Sequence, residues 1–306
     1  MSTVAPDPPL GGWFAEGSRV FAYALIVAAS VLWGSTFALA KIVADSGAHP
    51  VAITFWQSLG GALLLWGLCR VRGVRVPVDN AHLKFYAVLG LIGSALPGCI
   101  FYVVASRVPA GVLSISVATV PMMTYAATLA LRLDTLTARR SLGLAVGLSA
   151  VALIVLPDAS LPEPGMGIWV LLAVGASASY AVENIYVALR GLGTDAGALV
   201  CGMSLAGALW LAPLLISTDA SMSFAPWGKA QWSLVLLTVA SALAYSMYLT
   251  AIRAAGPVFA SQTGYLVTLT GVGWGIVILA ESHSAWVWTS LALMLGGVAL
   301  VTPRSR

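Results

Sequence analysis

The chain has 306 residues, of which 59% are hydrophobic and 8% charged, with a formal net charge of +4 and a mean hydropathy of +0.94. A typical soluble domain carries about 25% charged residues, so the composition excludes a soluble enzyme or scaffold and points to an integral membrane protein. The small positive charge reads as an orientation signal, not as a basic face for nucleic acid.

After an N-terminal tail, residues 1–19, ten apolar segments follow, each of about the length needed to cross a ~30 Å hydrocarbon core. They are Val20–Ala40, Pro50–Cys69, Phe85–Ser106, Pro109–Leu131, Ser141–Leu156, Gly167–Leu189, Ala196–Ser217, Trp232–Ile252, Pro257–Ala280 and Ser284–Thr302. The fifth is short. Backbone polar groups in lipid must be satisfied within each segment, and the alternating strands of a barrel are absent, so the expectation is an all-α protein of ten transmembrane helices. Ala38-Leu39-Ala40 resembles a cleavage site, but the apolar run is too long for a signal peptide and the first segment reads as a retained helix. Cys69, Cys99 and Cys201 fall within or at the edge of apolar segments and read as buried free thiols.

With a cytoplasmic N-terminus, all but Lys41, Arg107 and Lys229 of the 15 Lys and Arg lie on the cytoplasmic side. Both termini are therefore expected inside, in a cytoplasmic (inner) membrane.

Shifting the sequence by 147 residues lays the second half on the first. Ser94-Ala95-Leu96 falls on Ser241-Ala242-Leu243, Val151-Ala152-Leu153 on Val298-Ala299-Leu300, Ser114 on Ser261, Ser116 on Thr263, Trp33 on Tyr180 and Asp134 on Glu281. Residues 20–157 and 167–302 thus read as two repeats. Five helices per repeat is odd, so the repeats must be inverted, a recurring build for secondary transporters with the substrate site between the halves.

The stretches "LWGSTFALAK" in segment one, "SRVPAGVLSISVATVPMMTYAATLALRLD" through segment four, "AAGPVFASQTGYLVTLTGVGWGIVILAES" through segment nine and the closing "LGGVALV" resemble the EamA family of the drug/metabolite transporter superfamily. The resemblance implies a ten-helix exporter in which two inverted EamA repeats surround a central cavity, lined mainly by helices one, three, four, six, eight and nine. It also implies export of amino acids and related metabolites, with a branch for aromatic amino acids as the nearest likeness. Two departures stand out: Asp134 replaces the family's Glu, and helix nine carries Thr268 where helix four has Pro121.

Candidate substrate contacts follow from polar residues inside apolar segments. In the first segment Trp33 offers a flat surface far from the interfacial belt, Gly34 admits a neighbouring backbone, and Ser35 and Thr36 offer hydroxyls, against a reading in which both only glue helices together. Lys41 reads as snorkelling to the surface, or as drawing a carboxylate to the outer mouth. In "SYAVENIYVA" Glu183 is the acidic residue set well inside a span, at a cost of about 2.5–3.5 kcal/mol at a helix centre. Tyr180, Asn184 and Tyr186 surround it; Glu183 binds an ammonium group, carries a proton, or only ties helices as a buried carboxyl. Further candidates are Ser114, Ser116 and Thr119 in segment four, Tyr245 and Tyr248 in segment eight, and Ser261, Gln262, Thr263 and Tyr265 in segment nine. Tyr102 follows a kink at Leu96-Pro97-Gly98. The glycines of "GLAVG", Gly143 and Gly147, and Gly271 with Gly275, read as packing faces, with a helix-five dimer contact as the alternative.

His49, His82 and His283 sit at segment ends or in loops, too dispersed for a metal or nucleophilic site, so no enzyme, cofactor or metal is expected. No ATP-binding motif occurs. The reading is a secondary transporter exporting small metabolites by alternating access, most readily amino acids with aromatic or bulky hydrophobic side chains, as a monomer or weak homodimer. A drug or nucleotide-sugar carrier is the alternative, with a channel behind it.

Overall fold

The computed structural model describes residues 17–157, 159–190, 193–255 and 263–301. All regular structure among them is helical. Eight helices are long and apolar enough to cross a membrane: α1 (Gly17–Ala44), α2 (Pro50–Val71), α3 (Asn80–Ala105), α4 (Ala110–Ala130), α5 (Ala138–Val155), α6 (Gly167–Arg190), α7 (Ala196–Ser217) and α8 (Lys229–Ala255). Two shorter apolar helices of 17 residues follow, α9 (Thr263–Leu279) and α10 (Ala285–Val301).

Polar residues between the apolar runs fix where helices begin. Pro50 stands at the start of α2, where a missing N–H costs nothing, and the His49 ring accepts from the Val51 N–H. Asp79 accepts from the N–H groups of Ala81 and His82 to start α3, and Asp195 from those of Gly197 and Ala198 to start α7. The His82 N–H, with the His82 ring beside it, holds the Asp79 carboxyl below the usual carboxylate range.

The helices interleave. Helix α1 packs on α8 and α9, α6 packs on α3 and α4, α2 pairs with α7, and α5 pairs with α10. The pattern is unchanged when each helix is exchanged for the one five places along.

The α1–α9 crossing is close because Gly34 has no side chain: a Cβ there would lie 2.1 Å from Thr270 Oγ1 and 2.8 Å from the Gly271 nitrogen. The Thr270 hydroxyl donates to the Ser30 carbonyl at 2.7 Å, and Trp274 Nε1 donates to the Val31 carbonyl at 2.9 Å. Gly143 and Gly147 face α10 and Met122 inside the protein, so that glycine face is covered within the chain and is not open for a dimer contact.

Helices α3 and α4 are broken by proline. Pro97 widens α3 into a π turn over Gly90–Ala95. In a π turn the Ile92 carbonyl faces residue 97, and proline has no N–H to give. Ser179 of α6 supplies a hydroxyl to it at 2.5 Å. Ahead of Pro121, α4 breaks at Ala118 and Thr119, and the Ser116 carbonyl accepts from the hydroxyls of Thr119 at 2.6 Å and of Ser177, again on α6, at 3.3 Å.

Large apolar side chains such as Leu63, Leu209, Ile216 and Val277 are exposed, as a lipid-facing surface requires. Trp66, Trp227, Trp232, Trp286 and Trp288, near helix ends, are exposed as well. The three cysteines are free.

Gly34→Ala is expected to destabilise the detergent-solubilised protein by about 1–3 kcal/mol through overpacking. Gly67→Ala, where a Cβ meets nothing within 4 Å, is expected to be neutral or slightly stabilising. The protein remaining monodisperse after heating, followed by size-exclusion chromatography, measures both.

Candidate functional site

Between the two groups of interleaved helices lies a cavity of about 520 Å³, lined by α1, α4, α6, α8, α9 and α10. Two smaller cavities adjoin it, of about 230 and 310 Å³. Trp33 and Tyr180 line all three, so these rings form their common wall. Trp33 also lies tilted against Tyr248, with ring centroids 5.6 Å apart, and Tyr245, at 6.4 Å. Rings in this geometry give a broad apolar surface with polar tips.

Glu183 faces the largest cavity. Its carboxyl lies against the π turn of α3: a Cβ on Gly93 would stand 2.5 Å from Glu183 Cδ and under 3 Å from both oxygens. The chain of cause runs from Pro97, which forces the π turn, to Gly93, which leaves the room. Among the described residues no side chain donates a hydrogen bond to Glu183. Across the same cavity Thr263 is 3% exposed, and its hydroxyl has no hydrogen-bond partner among the described residues. Among the described residues no Lys, Arg or His lines any of the three cavities.

The structure brings Trp33, Tyr180, Glu183, Asn184, Tyr248 and Tyr265 together around the largest cavity. Tyr245 lines the cavity of about 230 Å³, its hydroxyl donating to the Ala196 carbonyl at 3.2 Å. Tyr102 lines the cavity of about 310 Å³; it is 1% exposed and donates to Gln57 Oε1 at 2.7 Å. Thr36 lines that cavity too, though its hydroxyl bonds the Trp33 carbonyl, one turn back on α1.

Ser35 bonds the Leu32 carbonyl and lines none of the three cavities. Ser116 and Thr119 are buried, line none of them, and spend their hydroxyls on carbonyls of α4. Gln262 and Ser261 lie outside the described residues. Lys41 holds Asp45 at 3.3 Å and donates to the Ala105 carbonyl at 3.2 Å.

Sequence reasoning passed over Gln57 and Phe37, which each line two of the cavities, and the backbone at Gly93. Gln57 was the accessible one, an uncharged amide inside an apolar run. Phe37 looks like any other core residue. No group of three or more His, Cys, Asp or Glu suited to a metal occurs among the described residues.

Tyr102→Phe is expected to leave Gln57 without its donor and to lower stability by about 1 kcal/mol. A small drop in heat resistance in detergent, with Gln57→Leu added to Tyr102→Phe recovering part of it, checks this pairing.

Residues 20–156 match the EamA-like transporter family. The "Uncharacterized inner membrane transporter YedA" of Escherichia coli (strain K12) is 25% identical over 285 residues, covering 92% of this chain and 90% of that protein. The protein of the same name from Escherichia coli O157:H7 matches to the same extent. A solved crystal structure superposes with a TM-score of 0.63 over 94% of this chain and 96% of that one, at 18% identity, a likeness of fold.

Proposed function

We propose, starting from a first half that belongs to the EamA-like transporter family and a likeness along most of the chain to an inner membrane transporter, that this protein is a secondary carrier exporting amino acids with aromatic or bulky hydrophobic side chains. It is a transporter of the drug/metabolite type, integral to the inner membrane. The amino-acid substrate, the cytoplasmic placing of both termini and the division into inverted repeats at 20–157 and 167–302 are parts of the proposal. The exchange-symmetric packing of the helices supports the repeats, because inverted halves must present equivalent faces to each other.

The observation that carries the substrate class is the cavity itself, whose described lining offers the Glu183 carboxylate, the unbonded Thr263 hydroxyl and aromatic walls. An α-amino acid fits that distribution. Its ammonium group goes to Glu183, its carboxylate to the Thr263 hydroxyl, and its side chain against Trp33, Tyr180 and Tyr248. The cavity also offsets the cost of an acidic residue in the span, since a carboxylate facing water or a cation escapes the penalty of bare hydrocarbon. The lack of basic residues among the described residues of the lining argues against phosphate-bearing cargo such as a nucleotide sugar, and leaves a lipophilic amine as the second reading.

Counterflow into proteoliposomes loaded with unlabelled substrate tests this. Labelled phenylalanine and tryptophan are expected to exchange saturably, and alanine weakly. Loss of the charge in Glu183→Gln is expected to lower exchange at subsaturating substrate about tenfold, the worth of one charge-assisted hydrogen bond. No counterflow with any amino acid overturns the substrate class; counterflow with a lipophilic amine alone selects the second reading.

Gly93→Ala is expected to push the Glu183 carboxyl from its slot and to raise the half-saturating concentration in the same assay, with the protein still monodisperse. An unchanged value would remove the π turn from the account of binding.

A further inference from the structure

The cavity does not use a second carboxylate, which stands where α4 and α10 begin. Glu281, just past the end of α9, accepts the Ala110 N–H at 2.6 Å on Oε1 and the Gly111 N–H at 3.0 Å on Oε2. Both donors belong to the first turn of α4, whose N–H groups have no acceptor within the helix and whose dipole favours an anion. The bond pair spans about 170 residues of sequence and joins the second half of the chain to the first.

The surroundings are shaped to admit it. A Cβ on Gly275 would stand 2.4 Å from Glu281 Oε2, and one on Gly111 would stand 2.7 Å from His283 Nε2. The His283 side chain is 1% exposed, lies 3.5 Å from Glu281 Oε2, and its Nε2 has no hydrogen-bond partner among the described residues. Burial holds the His283 imidazole below the usual range, against the opposing pull of Glu281. One turn deeper, the Ser114 hydroxyl donates to the Thr268 carbonyl at 3.3 Å, so α4 and α9 stay together below the carboxylate.

The other end differs. Asp134, 147 residues earlier and at the end of α4, is bonded to Arg140 at 2.5 Å and to its neighbour's N–H at 2.7 Å, both within its own half. One carboxylate of the repeated pair thus ties the halves together, while Asp134's bonds to Arg140 and the Thr135 N–H stay inside one half.

We propose that Glu281 is a gate residue of the carrier: by capping α4 across the two halves it holds the cavity shut toward the α4 end, and its release lets α4 and α9 part there. The assignment rests on the alternating-access reading but not on the substrate. The carboxylate touches no cargo and acts through the position of α4.

The test is side-specific labelling of the full-length protein in oriented proteoliposomes, with the native cysteines replaced and a single reporter introduced. Ser114→Cys reports on the path beneath Glu281, and Asn184→Cys on the opposite mouth. In Glu281→Gln, which turns one acceptor into a donor facing an N–H, labelling of the Ser114→Cys reporter from the α4 end by a membrane-impermeant maleimide is expected to rise about tenfold, the effect of losing one charge-assisted hydrogen bond on a two-state equilibrium. Labelling of the Asn184→Cys reporter from the other side is expected to fall or stay level. Glu281→Asp, with the charge kept on a shorter arm, should give an intermediate rate and serves if Glu281→Gln does not fold.

Equal acceleration at both reporters would mean general loosening and would overturn the assignment, as would unchanged labelling of the Ser114→Cys reporter in both variants. A protein that labels as expected yet shows no amino-acid counterflow would sink the substrate proposal and leave the gate standing.

Discussion

In hydrocarbon a carbonyl at a break in a helix needs a donor close by, and the interior of this protein depends on how α6 supplies hydroxyls to the breaks in α3 and α4. Ser177 and Ser179 sit two positions apart on that helix. One adds a third donor to the Ser116 carbonyl at the break in α4, which also takes the N–H and hydroxyl of Thr119; the other answers the Ile92 carbonyl that Pro97 leaves unpaired in the π turn of α3. Helix α6 is thereby fastened between two irregular helices, and the residues that follow, Tyr180, Glu183 and Asn184, are delivered to the cavity wall. The place of Glu183 in the cavity wall goes with the two serines that fasten α6 to α3 and α4.

The eight membrane-length helices and the two shorter apolar ones were legible as apolar segments because lipid imposes length and apolarity on anything that crosses it, and the helix bounds differ from the sequence reading by only a few residues at most ends. The kink at Leu96-Pro97-Gly98 was legible because a proline inside a helix has no N–H to give. That it takes the form of a π turn was not, because the choice depends on a hydroxyl from another helix. Ser116 and Thr119 show where pattern reading misleads. A hydroxyl in an apolar span signals an unmet backbone need as readily as a ligand, and only the three-dimensional partner tells the two apart.

His283 and Glu281 illustrate the opposite error. Three histidines scattered through the sequence looked inert, and Glu281 served only to mark the repeat. Their significance comes from Ala110 and Gly111, about 170 residues away, whose N–H groups meet the carboxylate only once α4 and α9 are side by side. Sequence spacing carries no trace of that meeting. Phe37 and Gln57 were missed for a related reason, since what matters is which wall each side chain faces.

The interleaving of the halves has a consequence for how the protein is made. The Ser30 carbonyl on α1 receives its bond from Thr270, 240 residues later. At about 5–20 residues per second of synthesis, α1 waits on the order of 10–50 s before that partner leaves the ribosome. Through that interval the part of α1 carrying Ser30, Trp33 and Gly34 has neither α8 nor α9 to cover it. A newly inserted first half is therefore an incomplete object in the bilayer, exposed to wrong partners and to quality-control proteases until the second half arrives.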